Sequence, residues 1–148
     1  MKRIICIGNQ YLSEDKSGYE VYQNLSKRIL PDDVEIIDGG IGGLNLLGYI
    51  DGMERIVFVD TISGFGSEGE IILLKSSEVA KLANPTFDHS AGLPFLLRII
   101  PEVCDGPLPQ ILVLGIEGFP NKKTIKKAST QALNVVFTGK TGKECFYG

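Results

Sequence analysis

Arg55-Ile-Val-Phe-Val-Asp60 is the stretch that decides the fold. Its apolar residues follow one another without polar alternation and end in a carboxylate. That is the pattern of a strand covered on both faces, as in a parallel sheet flanked by helices. Upstream, Arg3 to Ile7 is a short β-branched run that stops at Gly8-Asn9 and reads as a first buried strand. A helix follows from Gly18, with Val21, Tyr22, Leu25 and Ile29 at helical spacing and Pro31-Asp32-Asp33 as the stop. Val34 to Ile37 is a second strand closed by Asp38-Gly39-Gly40, and Gly43 to Ile50 offers Leu44, Leu47 and Ile50 on one side of a short helix.

Downstream, Thr61 to Gly69 is rich in Gly and Ser and leads into a fourth strand, Glu70 to Leu74. No crossover helix precedes that strand, so it is expected to be an antiparallel edge. Ser76 or Ser77 can cap a short helical turn, and Asn84 to Ser90 is a polar loop. Leu93, Leu96, Leu97 and Ile100 form the apolar side of a helix with Pro94 in its first turn. Ile111 to Ile116 is a fifth strand, and a last helix from about Thr124 to Phe137 turns Ile125, Ala128, Ala132, Leu133 and Val136 inward. The expected fold is an α/β three-layer sandwich of one domain, residues 1–148. Its sheet has about five strands, mostly parallel with one antiparallel edge strand, and helices on both faces. Residues 139–148 lack an apolar period and read as an irregular tail.

Composition narrows the function. The chain has 148 residues, of which 43% are hydrophobic and 22% charged, and its formal charge is -3. It carries no apolar run of membrane-spanning length and no basic, apolar leader, which is the profile expected of a cytoplasmic protein without a membrane partner. Neither the net charge nor any interleaving of aromatic with basic residues suits nucleic acid. Cys6, Cys104 and Cys145 are widely spaced and odd in number, so reduced thiols are expected, with Cys6 a small buried hydrophobe in the first strand.

Familiar motifs fail. A dinucleotide fingerprint needs G-x-G-x-x-G so that backbone amides can approach a pyrophosphate. Here Gly8 is followed by Gln10 and Ser13 at the later glycine positions, and Glu14-Asp15 would repel the anion. Gly139-Lys140-Thr141 resembles the end of a phosphate-binding loop, but Asn134 stands where its first glycine belongs and it follows a helix. No G-x-S-x-G nucleophile elbow occurs.

In open α/β sheets ligands bind beyond the carboxyl ends of the strands. Three residues survive that filter: Asp15 after the first strand, Asp60 at the tip of the third, and His89, the single histidine, beyond the fourth. Two carboxylates and an imidazole can form a facial ligand set for a divalent ion, with positions left open for substrate or water. Each also has a purely structural reading. Asp60 could cap a turn, Asp15 could face a helix dipole, and His89 could be a surface or capping residue. Asp88 could orient His89 or simply be solvated.

These residues fall into blocks that resemble the nickel-iron hydrogenase maturation endopeptidases. The blocks are Ile7-Gly8-Asn9 with Leu12, Glu14-Asp15 and Gly18; Asp38-Gly39-Gly40 with Gly42 or Gly43, Leu46 and Leu47; Val57-Phe58-Val59-Asp60; His89-x-x-Gly92-Leu93; and Val113-Leu114-Gly115-Ile116. The resemblance implies a metal-dependent, aspartic-type processing protease that removes a C-terminal extension from the hydrogenase large-subunit precursor once nickel has been inserted. It implies that Asp15, Asp60 and His89 are at once the catalytic residues and the contacts to that nickel. Nickel presented by the substrate would be the recognition signal, with no permanently bound cofactor, and cadmium, zinc or nickel from the medium would be able to occupy the site. The sequence departs from the family's pattern at Lys16-Ser17, in the glycine-rich loop, and at Glu117-Gly118-Phe119-Pro120, where the proline usual after the last strand is delayed.

Two other classes compete: a binding module that senses the nickel-loaded precursor without cutting it, and a small nucleotide-binding protein, against which the missing glycines count. The cluster Asn121-Lys-Lys-Thr-Ile-Lys-Lys127 could dock an acidic patch or be a solvated helix face.

Overall fold

A computed structural model of the chain describes residues 1–9, 11, 16–81 and 92–140. Of the residues singled out above, Gln10, Leu12, Ser13, Glu14, Asp15, the loop 84–90 with Asp88 and His89, and the tail residues 141–148 with Cys145 lie outside that set. The described residues form one five-stranded sheet in the order β2-β1-β3-β5-β4, built from β1 (Lys2–Ile7), β2 (Val34–Gly40), β3 (Arg55–Ile62), β4 (Ile71–Lys75) and β5 (Gln110–Glu117). The first three and β5 are parallel, while β4 pairs antiparallel with β5 at the edge. The expected α/β sandwich is the observed fold.

Both faces of the sheet are covered, as the unbroken apolar run of β3 requires. Ile4, Cys6, Val57, Val59, Leu112 and Leu114 point to one face and pack with helices α1 (Ser17–Ser26) and α4 (Lys122–Thr138). Ile5, Ile7, Ile56, Phe58, Ile62 and Val113 point to the other, against a 3-10 helix (Leu44–Tyr49), α2 (Ser76–Ala80) and α3 (Gly92–Val103). The expected stripe of α3, Leu93, Leu96, Leu97 and Ile100, is buried as a unit. No helix among the described residues is long and apolar enough to cross a membrane.

Several local expectations are corrected. Helix α1 ends at Ser26, and Ile29 is fully exposed. The last turn tightens through Lys27 N–H to Asn24 and Arg28 N–H to Leu25, three residues back, which breaks the helical stripe before Ile29 is reached. The segment before β3 is a 3-10 helix, and Leu46 and Ile50 enter the core while Leu44 stays exposed. Lys75, not Ser76 or Ser77, stands at the start of α2, and its N–H donates to the Glu78 carboxylate at 2.9 Å. Strand β2 runs on through Asp38-Gly39-Gly40 instead of stopping before it.

The amino edge of the sheet is scaffold. Arg55 binds Gln110 Oε1 at 2.7 Å and donates to the Val136 carbonyl at 2.8 Å, so a cation neutralises the carboxyl end of α4. Lys2 pairs with Asp33, and Arg3 with Glu35. At the opposite edge the first turn of α1 sits on the end of β1, where a Cβ on Gly18 would overlap the Ile7 carbonyl oxygen. Gly18→Ala is therefore expected to destabilise the fold by about 1–3 kcal/mol, the range of overpacking in a filled interior. A thermal melt unchanged from the parent would show that α1 can lift off the strand at no cost.

Candidate active site

The carboxyl ends of β1, β2, β3 and β5 share one edge, because parallel strands point the same way. From β1 the chain leaves through α1 to β2 on one flank, while β3 pairs on the other. The crevice of such a fold opens where the strand order reverses, here between β1 and β3.

Asp60 stands at that crevice. The last residue of β3 paired to β1 is Val59, opposite Cys6, so Asp60 emerges one residue beyond the ladder on the β1 side. On the other side the strand continues: Asp60 pairs with Gly115 and Ile62 with Glu117. Asp60 is thus within β3, two residues before its end, and not at the strand's tip as expected. Side chains alternate along a strand, so Asp60 shares the face of Phe58 and Ile62. Its side chain is 0% exposed, and Oδ1 accepts the Thr61 N–H at 2.8 Å. Gly115 opposite it has no side chain to contest the space, and a Cβ there would press on Ile62.

The other two predicted ligands lie outside the described residues, but the elements next to them are placed. Gly18, three residues after Asp15, lies against the end of β1. Helix α3, which begins three residues after His89, packs on the Asp60 face through Leu93. Its direction follows from Cys104, just past its end, whose thiol lies against the carboxylate of Asp51 ahead of β3. The start of α3 therefore points to the carboxyl edge. Among the described residues no group of three His, Cys, Asp or Glu side chains could hold an ion.

On the far flank of β1, Gly8, Asn9, Tyr11, Tyr19, Asp38, Gly40 and Ile41 line a cleft of about 240 Å³. Asp38 is turned to its own backbone, accepting the Gly40 N–H at 3.0 Å. The Gly8 N–H donates to the Gly40 carbonyl at 2.7 Å, extending the ladder. That donor is not offered to a phosphate, which adds to the missing glycines against nucleotide binding.

Neither described cysteine, Cys6 or Cys104, is set up as a nucleophile for this edge. Burial raises the Cys6 thiol far above its ordinary value, with the Asp38 charge adding to the effect. Burial, then the hydrogen bond to Asp51, raises Cys104 as well. Both stay protonated and unreactive at neutral pH. If the processing that the resemblance implies is present, alkylation with iodoacetamide at pH 7 should leave it within about twofold of the untreated protein. Rapid inactivation, prevented by replacing Cys6, Cys104 or Cys145, would contradict this.

Sequence reasoning missed Glu117. It was visible only as a departure near the last strand, yet its carboxylate is 7% exposed and takes three backbone N–H groups, from Gly64, Phe65 and Gly66. The available signal was an acid closing an otherwise apolar strand, the same signal that singled out Asp60.

Known proteins share both this architecture and the sequence that builds it. The model of the hydrogenase maturation protease family matches residues 19–137. The Hydrogenase 2 maturation protease of Escherichia coli is 34% identical over 100 residues, which cover 66% of this chain and 61% of that protein. The chain thus spans under two thirds of that relative's length. Among solved structures, an endopeptidase from Escherichia coli superposes with a TM-score of 0.73 at 27% identity, covering 92% of this chain and 90% of the other. The hydrogenase maturating endopeptidase HybD of Escherichia coli gives 0.71 at 25% identity, covering 93% and 90%.

Proposed function

The chain belongs to the hydrogenase maturation protease family, and from that premise we propose that it removes a C-terminal extension from the nickel-loaded large-subunit precursor of a nickel-iron hydrogenase. The observation that carries the reading is Asp60, a carboxylate with no exposure that stands one residue beyond the β1 ladder at the strand-order reversal. A divalent ion delivered by the substrate would be attracted to this carboxylate, so binding at Asp60 would favour the metal-loaded precursor.

In this reading Asp15, Asp60 and His89 hold the substrate's nickel, and the peptide bond to be cut lies beside it. In the same reading the attack falls to a carboxylate or to a water. A divalent ion can lower the pKa of bound water to about 7, which makes a hydroxide available at neutral pH. Zinc or cadmium from solution would compete for the same oxygen and nitrogen ligands.

The test is incubation with the nickel-loaded precursor from the same cell, reading its C-terminal mass before and after. Loss of a short peptide is expected. Stable binding without any change of mass would replace the protease with a binding checkpoint.

A further inference from the structure

We propose that Glu117 is a positioning residue for the site at Asp60: its carboxylate fixes the Gly64–Gly66 backbone as a preformed wall beside the crevice, against which the peptide segment to be cut is received. The proposal rests on the protease reading for its substrate, and on the geometry of β3, β5 and the loop between β3 and β4 for the rest.

Glu117 is the last residue of β5 and pairs with Ile62. Alternation along β5 puts its side chain on the same face as Val113, which is the face of Asp60. Two apolar strands thus each carry a buried acid near the carboxyl end on one side of the sheet. They differ in what they hold. Glu117 Oε1 accepts the N–H groups of Phe65 at 2.8 Å and Gly66 at 3.0 Å, and Oε2 accepts that of Gly64 at 3.1 Å. Gly64 has a φ of 89°, a conformation that suits glycine and turns successive N–H groups inward. Converging backbone N–H groups of this kind form a concavity for an anion. Here the anion is the protein's own, so Glu117 is committed to the loop and not to an ion.

The remaining bonds lock the loop at both ends. The Gly69 N–H donates to the Glu117 carbonyl at 2.7 Å and the Glu117 N–H to the Glu70 carbonyl at 2.9 Å. The Gly118 N–H reaches the Ile62 carbonyl at 3.2 Å, and Glu68 Oε1 accepts the Phe119 N–H at 3.0 Å. Phe65, whose backbone is held by Glu117, packs its ring into the cluster that contains Phe58 and Ile62. The consequence is a stiff loop that begins three residues after Asp60 and is anchored on the Asp60 face. A glycine-rich loop without such an anchor would sample many conformations, and ordering it would cost entropy at each substrate encounter.

The experiment compares the unaltered protein with Glu117→Ala, Glu117→Gln and Arg55→Ala, the last a control at the opposite edge of the sheet. Two quantities are read: hydrogen exchange of the Gly64–Gly66 amides without substrate, and KM and kcat on the nickel-loaded precursor. In Glu117→Ala those amides are expected to exchange at least about tenfold faster, because opening the loop no longer breaks charge-assisted bonds. KM should rise about tenfold with kcat within about twofold, the mark of lost binding that does not change the reacting atoms. Glu117→Gln keeps one carbonyl oxygen for Phe65 and Gly66 and should fall between the two. Arg55→Ala should lower the melting temperature and leave KM unchanged. Protected loop amides in Glu117→Ala overturn the anchoring, and fast exchange with unchanged KM overturns the positioning role. If Glu117→Ala does not fold, Glu117→Gln decides, and a KM equal to the parent's overturns the proposal. Failure of the unaltered protein to process the loaded precursor overturns the protease reading itself, and with it the substrate role given to the loop.

Discussion

Asp60→Asn is expected to lower processing of the nickel-loaded precursor by on the order of a thousandfold or more, the scale at which enzymes lose activity when a group acting directly on the reacting centre is removed. The substitution is nearly isosteric. Asparagine keeps an oxygen to accept the Thr61 N–H, so the local backbone bond survives. What disappears is the negative charge at a position with no solvent exposure. Because the exchange conserves volume and keeps the Thr61 bond, the melting temperature should stay near the parent's. Loss of activity with stability retained identifies a residue that serves the reaction and not the core. Processing within about tenfold of the parent would remove Asp60 from the site, since a tenfold change corresponds to only about 1.4 kcal/mol of lost interaction. Asp15→Asn and His89→Ala are expected to behave in the same way, and they test the two proposed ligands that lie outside the described residues.

The second large effect concerns the state of the substrate. Precursor carrying nickel should be cut at least about a hundredfold faster than metal-free precursor, a difference that needs about 2.7 kcal/mol of preferential binding. One ion accepted by a buried carboxylate can provide that, because charge interactions gain strength where water is excluded. The comparison uses the same protein and the same peptide bond, with C-terminal mass as the readout. Equal rates on both forms would sink the proposal that nickel is the recognition signal while leaving the protease reading intact. Zinc or cadmium added in modest excess should slow processing of the loaded form if it reaches the same carboxylate first.

Much of this protein is legible in its sequence because the informative signals are local. The unbroken apolar run Ile56 to Val59 requires a strand covered on both faces, and the four apolar residues from Leu93 to Ile100 require a helix with one buried side. The absence of a helix between the third and fourth strands leaves β4 antiparallel at the edge. Residues that resemble a family motif can be recognised without coordinates, and the family match over residues 19–137 agrees with that reading.

Other features depend on pairings the sequence does not encode locally. Asp60 reads as the tip of a strand when its run is viewed alone. Only the register with β5, Asp60 opposite Gly115 and Ile62 opposite Glu117, carries the strand two residues further and places the carboxylate beside the end of β1. Ile29 fits a helical period, yet α1 stops at Ser26 because hydrogen bonds at its end tighten the turn, and a periodicity count contains no such term. Glu117 accepts N–H groups from residues more than fifty positions earlier in the chain. Periodicity and composition report which face of a segment avoids water, whereas strand register and the partners of a buried carboxylate are settled when distant segments meet. The sequence by itself therefore determined the layers of the sandwich and named Asp60, and the tertiary structure decided which face Asp60 occupies and that Glu117 binds the loop beside it.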